Sequence, residues 1–176
     1  MFELKPTIGG WSESVLHTFD NNGTDGTYPA ASLARDGAGN LYGTTLYGGA
    51  HNEGTVFELE HPAGWREQIL HSFNNNGTDG YYPYANLILD PTGHLFGTTE
   101  NGGSITRAFG TVYELTPAGG GRWTYNILHN FVDNNTDGFY PFGGLILDAA
   151  GSLFGTTFSG GSQGAESAGT VFQITR

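Results

Sequence analysis

The sequence has no cysteine and only 6 Lys and Arg against 17 Asp and Glu in 176 residues, and charged residues make up 13 % of it. Without cysteine there is neither a disulfide framework nor a thiolate metal site, and the redox compartment stays open. The formal charge is −11, and the basic residues Lys5, Arg35, Arg66, Arg107, Arg122 and Arg176 are scattered along the chain. The electrostatic term that dominates binding to nucleic acid or an anionic membrane is therefore missing. No apolar run approaches the roughly 18 residues of a membrane span, so membrane insertion by a helix is excluded. Residues 1–8, MFELKPTI, carry Glu3 and Lys5 and do not read as a signal peptide.

What is abundant is glycine and aromatic side chain: 30 Gly, 12 Phe, 9 Tyr and 3 Trp. The glycines do not recur at every third position, which excludes collagen. The aromatic content is too high for a disordered chain. Each glycine inside a helix costs about 1 kcal/mol relative to Ala, so a helical protein is also excluded. A loop-rich all-β protein remains.

Three internal copies dominate the chain, the signature of a repeat architecture. Leu16-His17-Thr18-Phe19 recurs as Leu70-His71-Ser72-Phe73 and Leu128-His129-Asn130-Phe131. Tyr28-Pro29 recurs at Tyr82-Pro83 and Tyr140-Pro141, in steps of 54 and 58 residues. Leu41-Tyr42-Gly43-Thr44-Thr45 recurs at 95–99 and 153–157, and Gly54-Thr55-Val56-Phe57 at 110–113 and 169–172. Each copy holds four short runs rich in β-branched and aromatic residues, separated by Gly and Pro turn signals. Four antiparallel strands joined by hairpins describe the blade of a β-propeller.

The predicted organisation is one repeat domain over 1–176. Residues 1–19 supply outer strands, 20–73 form blade 1, 74–131 blade 2, and 132–176 a third blade lacking its outer strand. Three blades are fewer than the four to eight of an ordinary ring, and open end blades would expose apolar faces. The expected partner is thus the chain itself, as a homodimer giving six blades or a homotrimer giving nine. A β-trefoil is the alternative fold.

The string YPYANLILDPTGHLFGTTENGG (82–103) followed by GTVYELTP (110–117) resembles the GloVer-type tandem repeat of choice-of-anchor surface proteins. All three units carry the pattern. The resemblance implies a propeller-like repeat protein at an extracellular or bacterial surface location, and it brings no activity with it.

Chemistry is expected on the face holding the longest, most polar loops. The repeated loop Asp20 to Gly26, with its copies ending at Gly80 and Gly138, reads as an Asx-rich turn. In it Asp25, Asp79 and Asp137 bond their own backbone ahead of a glycine at positive φ. Asp133-x-Asn135-x-Asp137-Gly138 also opens like a calcium loop, but Gly144 stands where a bidentate Glu belongs, leaving structural calcium as the lesser reading and no cofactor as the main one. Tyr28, Tyr82 and Tyr140 suit packing between blades, and together with Asp25, Asp79 and Asp137 they form the candidate ligand-binding set, with a carbohydrate as the ligand class. His17, His71 and His129 read as packed, hydrogen-bonded histidines on the outermost strand, and the Thr44-Thr45, Thr98-Thr99 and Thr156-Thr157 pairs as hydrogen bonders at strand ends.

Catalysis needs an asymmetric constellation, and the residues that break the repeat are His51, Glu53, Glu100, Asn101, Arg107, Gln163 and Glu166. His51 with Glu53, or Glu53 with Glu100, are the acid/base pairs on offer. No phosphate loop, nucleophile elbow or zinc helix motif accompanies them. The main expectation is a non-enzymatic binding or scaffold protein. A purely structural oligomer and a propeller lyase or hydrolase are the alternatives.

Overall fold

The computed structural model describes residues 1–20, 22–105, 108–134, 136–162 and 168–175, and among these every regular element is a β-strand. The chain opens with an antiparallel hairpin of β1 (Phe2–Thr7) and β2 (Gly10–Val15). Two four-stranded antiparallel meanders follow. The first is β4 (Ala34–Arg35), β5 (Leu41–Thr45), β7 (Thr55–Glu60) and β8 (Arg66–Ser72). The second is β10 (Ile88–Leu89), β11 (Leu95–Thr99), β13 (Ala108–Gly119) and β14 (Arg122–Val132), and a parallel bridge from β13 to β12 (Asn101–Gly102) joins β12 and β9 (Gly80–Tyr81) to it as a six-stranded sheet. A third sheet has three strands, β16 (Ile146–Leu147), β17 (Leu153–Thr156) and β19 (Val171–Ile174). Short ladders brace the loops: β3 (Gly26–Thr27) with β6 (Tyr47–Gly48), β9 (Gly80–Tyr81) with β12 (Asn101–Gly102), and β15 (Gly138–Phe139) with β18 (Ser159–Gly160). Among the described residues no sheet closes into the barrel of a trefoil, and no ring closes within the chain.

The three sheets pack face to face, because each strand alternates residues between its two faces and the second sheet buries both. Tyr42 and Val56 of the first sheet meet Leu95, Tyr113 and Leu115 of the second around Phe73. Phe96 and Val112, on the opposite face of the second sheet, meet Leu145 and Leu153 of the third around Phe131. The mid-strand glycines follow from this packing. Gly43, Gly97 and Gly155 stand opposite Phe57, Tyr113 and Phe172. In each pair the aromatic ring lies across the glycine, in the space a Cβ would take. The cross-strand aromatic therefore covers the bare backbone of its partner.

A bulge in the fourth strand decides which way its side chains point. Val56 pairs with His71 but Phe57 with Ile69, so Leu70 is extra, and Leu128 is extra between the Val112–His129 and Tyr113–Ile127 pairs. The additional residue turns His71 and His129 toward the face of the following unit while leaving Ile69 and Ile127 on the other.

Candidate functional site

The polar loops between units are organised by the three aspartates of the candidate set. Asp25 accepts hydrogen bonds from the backbone N–H of Asp20 (2.7 Å) and Gly26 (2.6 Å). Asp79 accepts from Asn74 N–H (3.2 Å), and Asp137 from Val132 N–H (3.2 Å) and Gly138 N–H (2.9 Å). Asn22 and Asn134 close the loop by accepting from the N–H of Asp25 and Asp137, and Asn76 accepts from Thr78. These are Asx turns, as the composition of the loop suggests. Asn135, within the segment that resembles a calcium loop, lies outside the described residues.

The expectation of positive φ at Gly26, Gly80 and Gly138 is not met; none of them has it. Glycine is required there because a Cβ would run into Thr45, Thr99 or Thr157. Those threonine hydroxyls are held against Thr55, Thr111 and Thr170 at 2.7, 2.8 and 2.8 Å. The left-handed conformation falls instead two residues later, on Tyr28 (φ 58°), Tyr82 (59°) and Tyr140 (59°). A bulky residue there is strained by about 1–3 kcal/mol unless its surroundings hold it.

The holding contacts run between units. Tyr82 N–H donates to Glu53 O of the first unit (3.0 Å), and Tyr140 N–H to Phe109 O of the second (3.0 Å). The carbonyls of Tyr28, Tyr82 and Tyr140 each accept an N–H from their own unit, at Leu46, Glu100 and Phe158. The Tyr82 ring sits edge-on to Tyr47, and Tyr140 to Phe109. Burial, then the neighbouring Glu53 carboxylate, raises the Tyr82 pKa. Tyr28 keeps the same backbone form, but the residue is 71 % exposed and its ring touches Tyr47 of its own unit. The second threonine of each pair thus faces the glycine turn, and the first reaches across units: Thr44 Oγ1 donates to Ala85 O and Thr98 Oγ1 to Pro141 O.

His71 and His129 are packed and hydrogen-bonded as their place in the repeat suggests, and they also serve the junctions; His17 Nε2 has no hydrogen-bond partner. His71 Nε2 lies 2.9 Å from Asp79 Oδ2, and His129 Nε2 lies 3.1 Å from Asp137 Oδ2. The Tyr125 ring of the second unit stacks flat on His71 at 4.1 Å. Burial, reinforced by Asp79, pushes the Tyr125 hydroxyl far above its usual pKa. At the first junction the third member is different. Position 67 occupies the place of Tyr125, and there His17, Asp25 and Glu67 bring their donor atoms within 4.8 Å of one another. Burial, then Asp25, raises the Glu67 pKa to about 8. The repeat pattern singles out His17 and Asp25 but not Glu67, because only the sheet register places position 67 opposite them.

Among the described residues, none of the candidate Asp and Tyr residues lines the two shallow hollows beside these loops. One hollow is lined by Asn75, Gly77, Tyr81, Gly102, Ile105 and Ala108, and another by Phe142, Gly143, Thr156, Thr157, Phe158 and Ala168. Of the residues breaking the repeat, Arg107, Gln163 and Glu166 lie outside the described residues. Glu53 stands beside Tyr82, with its Oε2 buried and lacking a hydrogen-bond partner.

The profile of the Gloeobacter/Verrucomicrobia repeat matches residues 1–176. The chain belongs to this repeat family. Among curated proteins none matches it. Within this Gloeobacter/Verrucomicrobia repeat chain, the left-handed tyrosine and the threonine pair recur in all three units, and the hydrogen-bonded His–Asp pair recurs at His71–Asp79 and His129–Asp137. The His71–Asp79 and His129–Asp137 pairs, Tyr82 and Tyr140, and the Thr44 and Thr98 hydroxyls join consecutive units.

Proposed function

We propose that this chain is a non-enzymatic scaffold whose sheets are propeller blades, and that it closes into a ring with further copies of itself. The observation that carries the reading is the contrast between inner and outer units. Val56 and Val112 are 0 % exposed, while Val171 at the same position of the last sheet is 81 % exposed. Phe57 is 0 % exposed, while its counterpart Phe2 in the opening hairpin is 62 % exposed. Leu4 and Val15 share that hairpin face with Phe2, and Ile146 joins Val171 at the other end. Exposed apolar faces of this kind mark interaction surfaces. One end presents the face that meets a following unit, and the other the face that meets a preceding one. Head-to-tail contact satisfies both, and two-fold closure gives six blades.

Solution mass tests this directly. A dimer at twice the 18.7 kDa chain mass is expected, or a trimer giving nine blades. A stable 18.7 kDa monomer at high micromolar concentration sinks the proposal. A second reading, carbohydrate recognition, is favoured by the open ring of Tyr28, since sugars stack on exposed aromatic faces. It predicts glycan binding that Tyr28→Ala abolishes; calorimetry with no heat for any polysaccharide tried removes it.

A further inference from the structure

We infer that His17, Asp25 and Glu67 form a binding site for one divalent transition cation of the zinc class, tying the segment after β2 to strand β8. The site stands apart from the assembly proposed above and does not depend on it.

The argument begins with spacing. His17 Nε2 lies 3.6 Å from Asp25 Oδ2 and 3.7 Å from a Glu67 carboxylate oxygen. These separations are too long for hydrogen bonds. Donors about 2.0–2.2 Å from a tetrahedral zinc ion stand about 3.3–3.6 Å apart, close to what is seen. The equivalent His71–Asp79 and His129–Asp137 pairs close to 2.9 and 3.1 Å, so the gap at the first junction is not imposed by the repeat. It accompanies the replacement of the stacked tyrosine by a carboxylate.

The second observation is that the site is enclosed and that its imidazole nitrogen is unanswered. His17 Nε2 is buried with no hydrogen-bond partner, and so is Glu67 Oε1, the second oxygen of the carboxyl whose Oε2 faces His17. The side chains of His17, Asp25 and Glu67 retain only 19, 9 and 14 % of their exposure. Among the described residues no Lys or Arg forms an ion pair with either carboxylate. Two carboxyl groups set side by side in an enclosed site next to an imidazole offer oxygens that a bound cation would pair. Asp25 is already aimed by the N–H groups of Asp20 and Gly26, the kind of outer support that orients a metal ligand.

Donor chemistry selects the ion. Calcium takes six to eight oxygen ligands and magnesium keeps an octahedral oxygen shell, whereas imidazole with carboxylates suits zinc and its neighbours. Three protein donors leave one position for water.

The test is titration of the full chain with Zn2+ by calorimetry and with Co2+ by visible absorption. One equivalent of saturable binding is expected, with the intense visible bands of tetrahedral Co2+. Glu67→Gln keeps the shape of the side chain and should weaken binding at least tenfold. His17→Ala should do the same, while the exposed-histidine control His61→Ala should not. Absence of saturable binding, an octahedral Co2+ spectrum, or equal affinity in Glu67→Gln and wild type overturns the assignment. Circular dichroism of each variant guards against reading misfolding as lost affinity, and the isosteric Glu67→Gln decides if His17→Ala does not fold.

Discussion

Gly97 shows how a single residue type serves the architecture. Its strand position is occupied from across the sheet by the Tyr113 ring and from the side by Leu87. Both faces of the second sheet are covered, so neither neighbour has room to retreat. Gly97→Ala is expected to destabilise the chain by about 1–3 kcal/mol through overpacking, measured as a lower urea midpoint at unchanged slope. The same substitution at Gly37, where a Cβ would meet nothing within 4 Å, should leave the midpoint unmoved. Equal effects at the two positions would mean that intrinsic backbone preference, and not the ring, sets the requirement for glycine.

At the scale of an element, the hairpin between β10 and β11 is set by Asp90. Its Oδ1 accepts from Thr92 N–H (2.9 Å), Thr92 Oγ1 (2.7 Å) and His94 N–H (2.9 Å). Burial alone would raise the Asp90 pKa, but the Thr92 hydroxyl, these backbone donors and the nearby His94 together hold it below its usual value. A carboxylate favoured in its charged form contributes stability above its unfolded pKa of about 3.9, and that contribution disappears as pH falls through the lower folded value. Asp90→Asn should therefore cost about 1–2 kcal/mol at pH 7, and its thermal melting should converge on wild type below about pH 3. A constant difference across that range would show that the carboxylate charge plays no part in the turn. Asp36 and Asp148 repeat the arrangement, accepting from Asn40 N–H and from the N–H groups of Ala150 and Ser152.

At the scale of the whole molecule, the core clusters among the described residues join consecutive sheets, first to second and second to third. Stability in such arrays is approximately a sum over units and their junctions. The second sheet has a packed core on both faces, whereas the opening hairpin and the last sheet each turn one apolar face outward. Hydrogen exchange should accordingly be slowest in β11 and β13 and fastest in β1, β2 and β19. Under conditions where a dimer or larger ring forms, protection in β19 should rise with protein concentration. Exchange in β19 that is independent of concentration, in a sample of confirmed oligomer, would place the subunit contact elsewhere.

Much of this architecture is legible in the amino-acid sequence. Alternating residues, Gly and Pro punctuation and the threefold recurrence specify short antiparallel strands in repeated meanders, because strand formation depends on local pattern and on turns of fixed chemistry. The Asx turns at Asp25, Asp79 and Asp137 are equally readable, being bonds between residues one to five apart. Tertiary structure alone decides three things. It moves the left-handed backbone from the glycines to Tyr28, Tyr82 and Tyr140, since contacts from the neighbouring unit offset the strain at Tyr82 and Tyr140. It turns the histidines toward the next unit through a bulge at Leu70 and Leu128 that no composition signals. And it sets Glu67 against His17 and Asp25, 42 residues away from the nearer of the two in sequence. Local pattern determines which strands form; only the register between packed sheets determines which side chains meet.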